Sequence, residues 1–192
     1  MKNARRLATT LLAIVTLLGL GSAAANAAPA APGRAEALAV LGQRATTAAQ
    51  LQRQIDLQLT LAPGGVQTAV NEVSYGGGRF VVTYALPGAG AALAAADCPS
   101  GWFCFYDHTN YGYPRGRLSD CGWQDLGAYG WNDRTESIDN STGNTIDYSN
   151  HQDYGNPANG HRYDYHLFYN YGHSSASSVG YPNQADHVNR LC

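Results

Sequence analysis

Lysine is almost missing from this chain: Lys2 is its one representative in 192 residues, and beyond residue 27 nine arginines stand against fourteen acids. Such a surface repels phosphate backbones, which excludes nucleic acid as an expected partner. The acidic excess lies after residue 97, where five arginines meet ten acids. A face of that sign either attracts metal ions or is simply solvated. No cysteine precedes Cys98, and no stretch beyond it sustains a helical hydrophobic period. Paired-cysteine knuckles are absent too, and none of His108, His151, His161, His166, His173 and His187 is spaced as in a helical zinc site, so these six are expected as exposed loop histidines. Ser174, Ser175, Ser177 and Ser178 lack the strand-to-helix elbow of a serine nucleophile, and no carboxylate pair stands out. The sequence reads as that of a non-enzyme.

Four segments follow one another. Lys2, Arg5 and Arg6 precede an apolar run from Leu7 to Leu20, and Ala25-Asn26-Ala27 supplies small residues for a signal peptidase, so residues 1–27 read as a secretory signal. Residues 28–85 read as a helix plus β-hairpin, either a pro-segment, a docking element or a small module. Leu51, Ile55 and Leu59 share one helical face, and the helix is expected to end before Pro63-Gly64-Gly65. Val66–Tyr75 and Arg79–Ala85 flank Gly76-Gly77-Gly78 as a hairpin. Residues 86–97, rich in Ala and Gly, read as a linker, with a short helix allowed through Ala91–Ala96. Residues 98–192 are dominated by Tyr, Asn, Asp, Ser and Gly in short runs between turns, the pattern of an all-β unit.

That unit repeats itself. Phe105–Pro114 aligns with Tyr148–Pro157, sharing His, Tyr, Gly and Pro, and Gly130–Ile138 aligns with Gly180–Val188. The offsets of 43 and 50 residues fit two copies of one unit, the second longer by about seven residues. Cys98, Cys104, Cys121 and Cys192 all fall in this unit; an even count in a small exported domain reads as two disulfides. The run Tyr163–Tyr171 alternates aromatic and polar residues. It is expected as a strand with Tyr163, Tyr165, Leu167, Tyr169 and Tyr171 packed inward, the other reading being a carbohydrate- or protein-binding face.

Cys98-Pro99-Ser100-Gly101-Trp102-Phe103-Cys104-Phe105-Tyr106, Asn110-Tyr111-Gly112, Ser119-Asp120-Cys121-Gly122-Trp123 and Asn132-Asp133-Arg134 together resemble the secreted actinobacterial relatives of the streptomycete metalloproteinase inhibitors, peptidase inhibitor family I36. The resemblance covers residues 98–192 and is carried mainly by the first repeat. It implies a βγ-crystallin-like Greek-key sandwich of two repeats, in which Tyr106, Tyr111 and Gly112 form an aromatic corner over a tight hairpin whose glycine takes a backbone conformation other residues resist. It also implies bridges Cys98–Cys104 and Cys121–Cys192. A further bridged loop that carries the family's reactive bond has no counterpart here, so no inhibitory bond is assigned.

Crystallin-like domains also carry a calcium loop, and Asn132, Asp133, Glu136 and Ser137 occupy its positions, with Glu136 in place of a hydroxyl residue. These residues either hold calcium or hydrogen-bond the loop backbone. The matching second loop, with Pro182, Gln184 and His187, lacks the pattern. The resemblance makes the protein a secreted, monomeric inhibitor of an extracellular metalloproteinase that requires no cofactor. The competing readings are a calcium-binding or structural extracellular crystallin-like protein, and a glycan- or protein-binding module.

Overall fold

The computed structural model describes residues 33–89, 95–152 and 161–192. The expected signal (1–27), Ala91 to Ala94 of the allowed short helix, and Asp153 to Pro157 of the second repeat lie outside the described residues.

Between Gly33 and Ala62 the chain forms two helices, α1 (Arg34–Leu41) and α2 (Ala48–Leu61). The break between them is local in origin. Thr47 caps α2 in a reciprocal box: Gln50 N donates to Thr47 Oγ1 and Thr47 N donates to Gln50 Oε1, each at 3.2 Å. Leu51 and Ile55 are buried on one face of α2, together with Gln54 and Gln58. Val66–Tyr75 then folds as two strands, β1 (Val66–Ala69) and β2 (Glu72–Tyr75), before β3 (Phe80–Thr83) returns across three glycines with φ of 56, 70 and 103°.

Beyond Cys98 the described chain contains a single 3₁₀ turn (Leu126–Tyr129) and eight strands. The first four are β4 (Phe103–His108), β5 (Gly112–Leu118), β6 (Gly122–Asp125) and β7 (Ser137–Asn140). The second four are β8 (Thr145–Asn150), β9 (Tyr165–Asn170), β10 (Ser174–Ala176) and β11 (His187–Leu191). Two antiparallel sheets result, ordered β1-β2-β3-β5-β4-β7-β10 and β6-β11-β8-β9. Each repeat keeps its first, second and fourth strands in one sheet and passes its third to the other, so β10 lies on β7 and β6 on β11. This is a Greek-key exchange, and it interlocks the repeats. The registers agree with the sequence alignment: Phe105 pairs with Ile138, and Tyr148, its counterpart, pairs with Val188.

β3 pairs with β5 from Phe80↔Leu118 to Thr83↔Arg115, so the amino-terminal strands extend the sheet of the first repeat. One buried cluster runs from Leu41, Leu51 and Ile55 through Phe80 and Val82 to Phe105, Trp131 and Val188. Gly116 is needed in this cluster for close approach, because a Cβ there would stand 2.3 Å from the Phe105 ring. Disulfides join Cys98 to Cys104 and Cys121 to Cys192.

Two expectations are corrected. On β9, Leu167 is buried, but Tyr163, Tyr165, Tyr169 and Tyr171 are 41–64% exposed. A bulge sets Tyr148 against Phe168 and Ser149 against His166, leaving Leu167 without a partner. One extra residue moves the following side chains to the opposite face. Phe168 then stacks on Tyr148, with centroids 4.8 Å apart, and Tyr169 and Tyr171 turn outward, whereas Tyr163 and Tyr165 precede the bulge and are exposed at the start of the strand. At the aromatic corner, Tyr106 and Tyr111 do meet edge to face at 5.6 Å. The left-handed positions, however, are Asn110 (φ 55°) and Tyr111 (φ 60°), not Gly112. Gly112 supplies room instead: a Cβ there would lie 2.7 Å from His108 Cβ.

Candidate functional site

The loop from Asn132 to Ser137 leads out of the 3₁₀ turn into β7, and its backbone is tied to the corresponding loop of the second repeat by reciprocal bonds. Asp133 N donates to Ala185 O (3.2 Å) and Asn183 N to Thr135 O (3.0 Å). Asp133 and Asn183, related by the 50-residue offset, share the left-handed conformation at φ 58 and 57°. Glu136 N donates to Tyr106 O, and Asp186 N donates to Ser149 O. The acid side chains are used alike: Glu136 Oε2 accepts from Thr109 N (3.1 Å), and Asp186 Oδ2 accepts from His151 N (3.1 Å). In each repeat, then, the acid holds the entry to that repeat's first hairpin.

Of the four candidate calcium residues, Asp133 and Glu136 line one open cleft of about 340 Å³ together with Asp107, His108 and Asn183. Glu136 Oε1 accepts from Asn183 Nδ2 (2.8 Å), so both of its oxygens are engaged. Ser137 Oγ donates to His108 O (2.6 Å) and accepts from Tyr111 N (3.0 Å). Asn132 lies against Gly127, beside the 3₁₀ turn. Glu136 and Ser137 thus already serve the loop backbone and its neighbours, each oxygen accepting one hydrogen bond. The hydrogen bonds support the backbone-holding reading.

Beneath this loop, Arg134 is buried. Its Nε and Nη2 donate to Asp107 Oδ1 (3.0 Å) and Oδ2 (3.1 Å), and its guanidinium lies 4.2 Å from the Trp131 ring centroid. Burial opposes the arginine's charge, yet the Asp107 carboxylate holds its pKa above the ordinary value. Arg134 stands in the Asn132-Asp133-Arg134 motif, but nothing in the sequence marked it and Asp107 as partners, because they are 27 residues apart.

The bridged loop between Cys98 and Cys104 is fixed from several sides. Gly101 N donates to Ser141 O, Ser141 N to Trp102 O, and Ser141 Oγ to Cys98 O, all at 2.9–3.0 Å. Arg117 lies 5.0 Å above the Trp102 ring, and Cys98 N donates to Asp139. Ser100 and Gly101 remain exposed at the tip. Asp97, just before the loop, accepts from Tyr106 and Tyr113 and pairs with Arg115 at 2.9 Å. Burial alone would raise the Asp97 carboxyl; the two phenol bonds and Arg115 outweigh it and hold it below the usual carboxylate value.

Among the histidines, His108, His161, His166 and His173 are exposed, as the turn-rich sequence suggests. His187 and His151 are not loop residues in water. His187 opens β11, the strand between β6 and β8, and is 4% exposed, while His151 is half-buried beside it.

The sequence model of peptidase inhibitor family I36 matches residues 91–174. That segment contains the motifs, from Cys98 to Arg134, that carry the resemblance to the family, and it spans 84 of the 192 residues. The match starts beyond β3 and stops at the first residue of β10, whereas the second sheet is completed by β11. No curated protein and no solved structure matches the chain. Among the described residues, no helix is long and apolar enough to cross a membrane.

Proposed function

We propose that the protein is a secreted, monomeric inhibitor of extracellular metalloproteinases that acts by occupying the enzyme's cleft. The family match over residues 91–174 carries this reading. Two disulfides are in keeping with an extracellular setting. The Cys98–Cys104 loop has the physical properties docking needs: an exposed tip, Ser100-Gly101, on a base held by a bridge and by hydrogen bonds to Ser141. A loop already fixed in one shape loses little entropy when bound.

Titration of the purified protein against a thermolysin-like metalloproteinase and a serine protease tests the reading. Stoichiometric loss of metalloproteinase activity alone is the expected result. Loss of the serine protease alone, or of neither, refutes the assignment of target class. A second reading rests on the outward tyrosines Tyr165, Tyr169 and Tyr171, which offer aromatic area to a glycan or protein. Retention on polysaccharide resins, abolished by replacing all three with serine, is what it requires.

A further inference from the structure

We propose that His151, Asp164 and His187 form a binding site for a divalent transition-metal ion of the zinc class, independent of protease inhibition. Nothing in the chain's spacing announces it: the three residues come from the end of β8, the approach to β9 and the start of β11. The sheet brings them together. His187 sits opposite Ser149 in the β8–β11 ladder, and His151, two residues beyond Ser149, falls on the same face. The imidazole rings meet edge to face with centroids 5.0 Å apart.

Asp164 lies between them, with its side chain 8% exposed. Its Oδ2 accepts from His187 Nδ1 and from the Trp123 indole N–H at 3.4 Å. Its Oδ1 stands 3.5 Å from His151 Nδ1 and accepts no hydrogen bond among the described residues. A carboxylate oxygen so deeply buried, with a lone pair unsatisfied and an imidazole nitrogen facing it, is costly to maintain unless a cation compensates it. The three potential ligand atoms all lie within 4.8 Å of one another. Ligand atoms on a tetrahedral zinc ion, with bonds of about 2.0–2.2 Å, are spaced by about 3.3–3.6 Å. The His151–Asp164 separation already matches that spacing, and a small rotation of His187 away from Asp164 completes it.

The surroundings extend the argument. Asp125 Oδ1 lies 3.9 Å from His187 Nε2, on the far side of the ring from Asp164, where an outer carboxylate orients a metal-bound imidazole. Asp186 accepts from His151 N and so fixes that residue's backbone. Trp123 walls one side, its ring centroid 4.5 Å from that of His187. Two imidazoles and a carboxylate select zinc, copper or nickel over calcium or magnesium, which prefer oxygen donors throughout. Three protein donors leave a tetrahedral ion one position for water or an outside ligand.

The test uses the full-length secreted protein after treatment with a chelator. Zinc is titrated in competition with a chromophoric chelator, and melting temperature is followed with zinc and with calcium. One zinc ion per chain, a melting temperature raised by zinc and not by calcium, and quenching of Trp123 fluorescence by copper are expected. His151→Ala and Asp164→Asn should each weaken zinc binding by at least about 10-fold. His166→Ala, at an exposed histidine bonded instead to Asp147, should leave it unchanged. His151 is half-buried, so its alanine variant, checked by its unliganded melt, keeps the test decisive if Asp164→Asn does not fold. No saturable zinc uptake, or uptake by His151→Ala equal to that of the parent protein, overturns the proposal.

Discussion

Gln58 on α2 accepts a hydrogen bond of 3.2 Å from Arg134 in the loop before β7, joining the second helix to the two-repeat β unit through two buried side chains. The same amide oxygen accepts from Tyr84 Oη (3.1 Å), while its nitrogen donates to Tyr129 O (2.7 Å) and to Tyr75 Oη (3.0 Å). The side chains of Gln58, Tyr75, Tyr84 and Arg134 are all buried, so removing one member strands the others. Gln58→Leu is expected to lower stability by about 2–4 kcal/mol, because unsatisfied buried groups cost about 1–3 kcal/mol each. Asp107→Ala should cost about 3–5 kcal/mol, since it leaves a buried guanidinium unpaired. Urea unfolding of both single variants and the double variant measures the losses, and the double should fall short of their sum.

The same contacts bear on processing. Phe80 of β3 stacks on Tyr129 with centroids 4.2 Å apart and packs near Phe105 and Trp131, and β3 contributes a full ladder to β5. Removing residues 28–97 would expose that edge and delete a large aromatic from the core, a loss of about 3–5 kcal/mol for Phe80 alone. Intact mass of the protein recovered from the medium of an expressing culture is therefore expected to correspond to a chain starting near residue 28. A mass corresponding to a start near Cys98 would show that the domain tolerates loss of its neighbouring strands.

The two bridges should contribute unequally. Cys121–Cys192 closes a loop across a separation of 71 residues, Cys98–Cys104 one of six. In the chain-entropy account the long loop is worth about 4 kcal/mol and the short one about 2 kcal/mol. Replacing both members of each pair by serine should thus lower the denaturation midpoint more for Cys121/Cys192. The short bridge should instead show its effect on binding, through the fixed tip Ser100-Gly101.

How much of this was legible in the chain follows from which interactions are local. The duplication was, because equivalent residues such as Phe105 and Tyr148 keep their order, and the ladders confirm it. The hairpin after β2 was written in three consecutive glycines. The second helix start was written too, in Thr47 and Gln50, but within a stretch whose apolar spacing suggested one helix. Tyr169 and Tyr171 were misjudged as inward because a single bulge residue, Leu167, reverses the alternation, and no spacing rule locates a bulge. Asp107 with Arg134, and His151 with Asp164 and His187, are tertiary pairings between distant segments. Only the folded sheets bring them into contact.

Acid should act through Asp97. Burial raises its carboxyl, but bonds from Tyr113 and Tyr106 and the charge of Arg115 reverse this, and the folded value lies below the unfolded one. Stability from such a group is present above the unfolded pKa, about 4, and is lost as pH falls through the lower folded value. Asp139 and Asp186 have the opposite sign: burial raises both, so their unfavourable contribution at neutral pH is relieved on acidification. Asp97→Asn isolates the first effect. Its melting temperature should lie below that of the parent at pH 7, and the gap should narrow as the pH approaches 3.

Calcium is expected to leave the melting temperature unchanged. Both Glu136 oxygens are held, by Thr109 N and Asn183 Nδ2, and Ser137 Oγ is bonded to His108 and Tyr111. An ion entering the loop would have to share these oxygens with donors that already fix the first hairpin and the neighbouring loop, and to shift both of them from their present positions. A ligand bound at 100 times its Kd stabilises the folded state by about 2.7 kcal/mol, which raises the melting temperature of a domain this size by several degrees. Superimposable melts in millimolar calcium and in chelator are therefore informative. A rise of that order, lost in Glu136→Ala, would restore Asn132, Asp133, Glu136 and Ser137 as a calcium site and show that the loop exchanges its internal bonds for the ion.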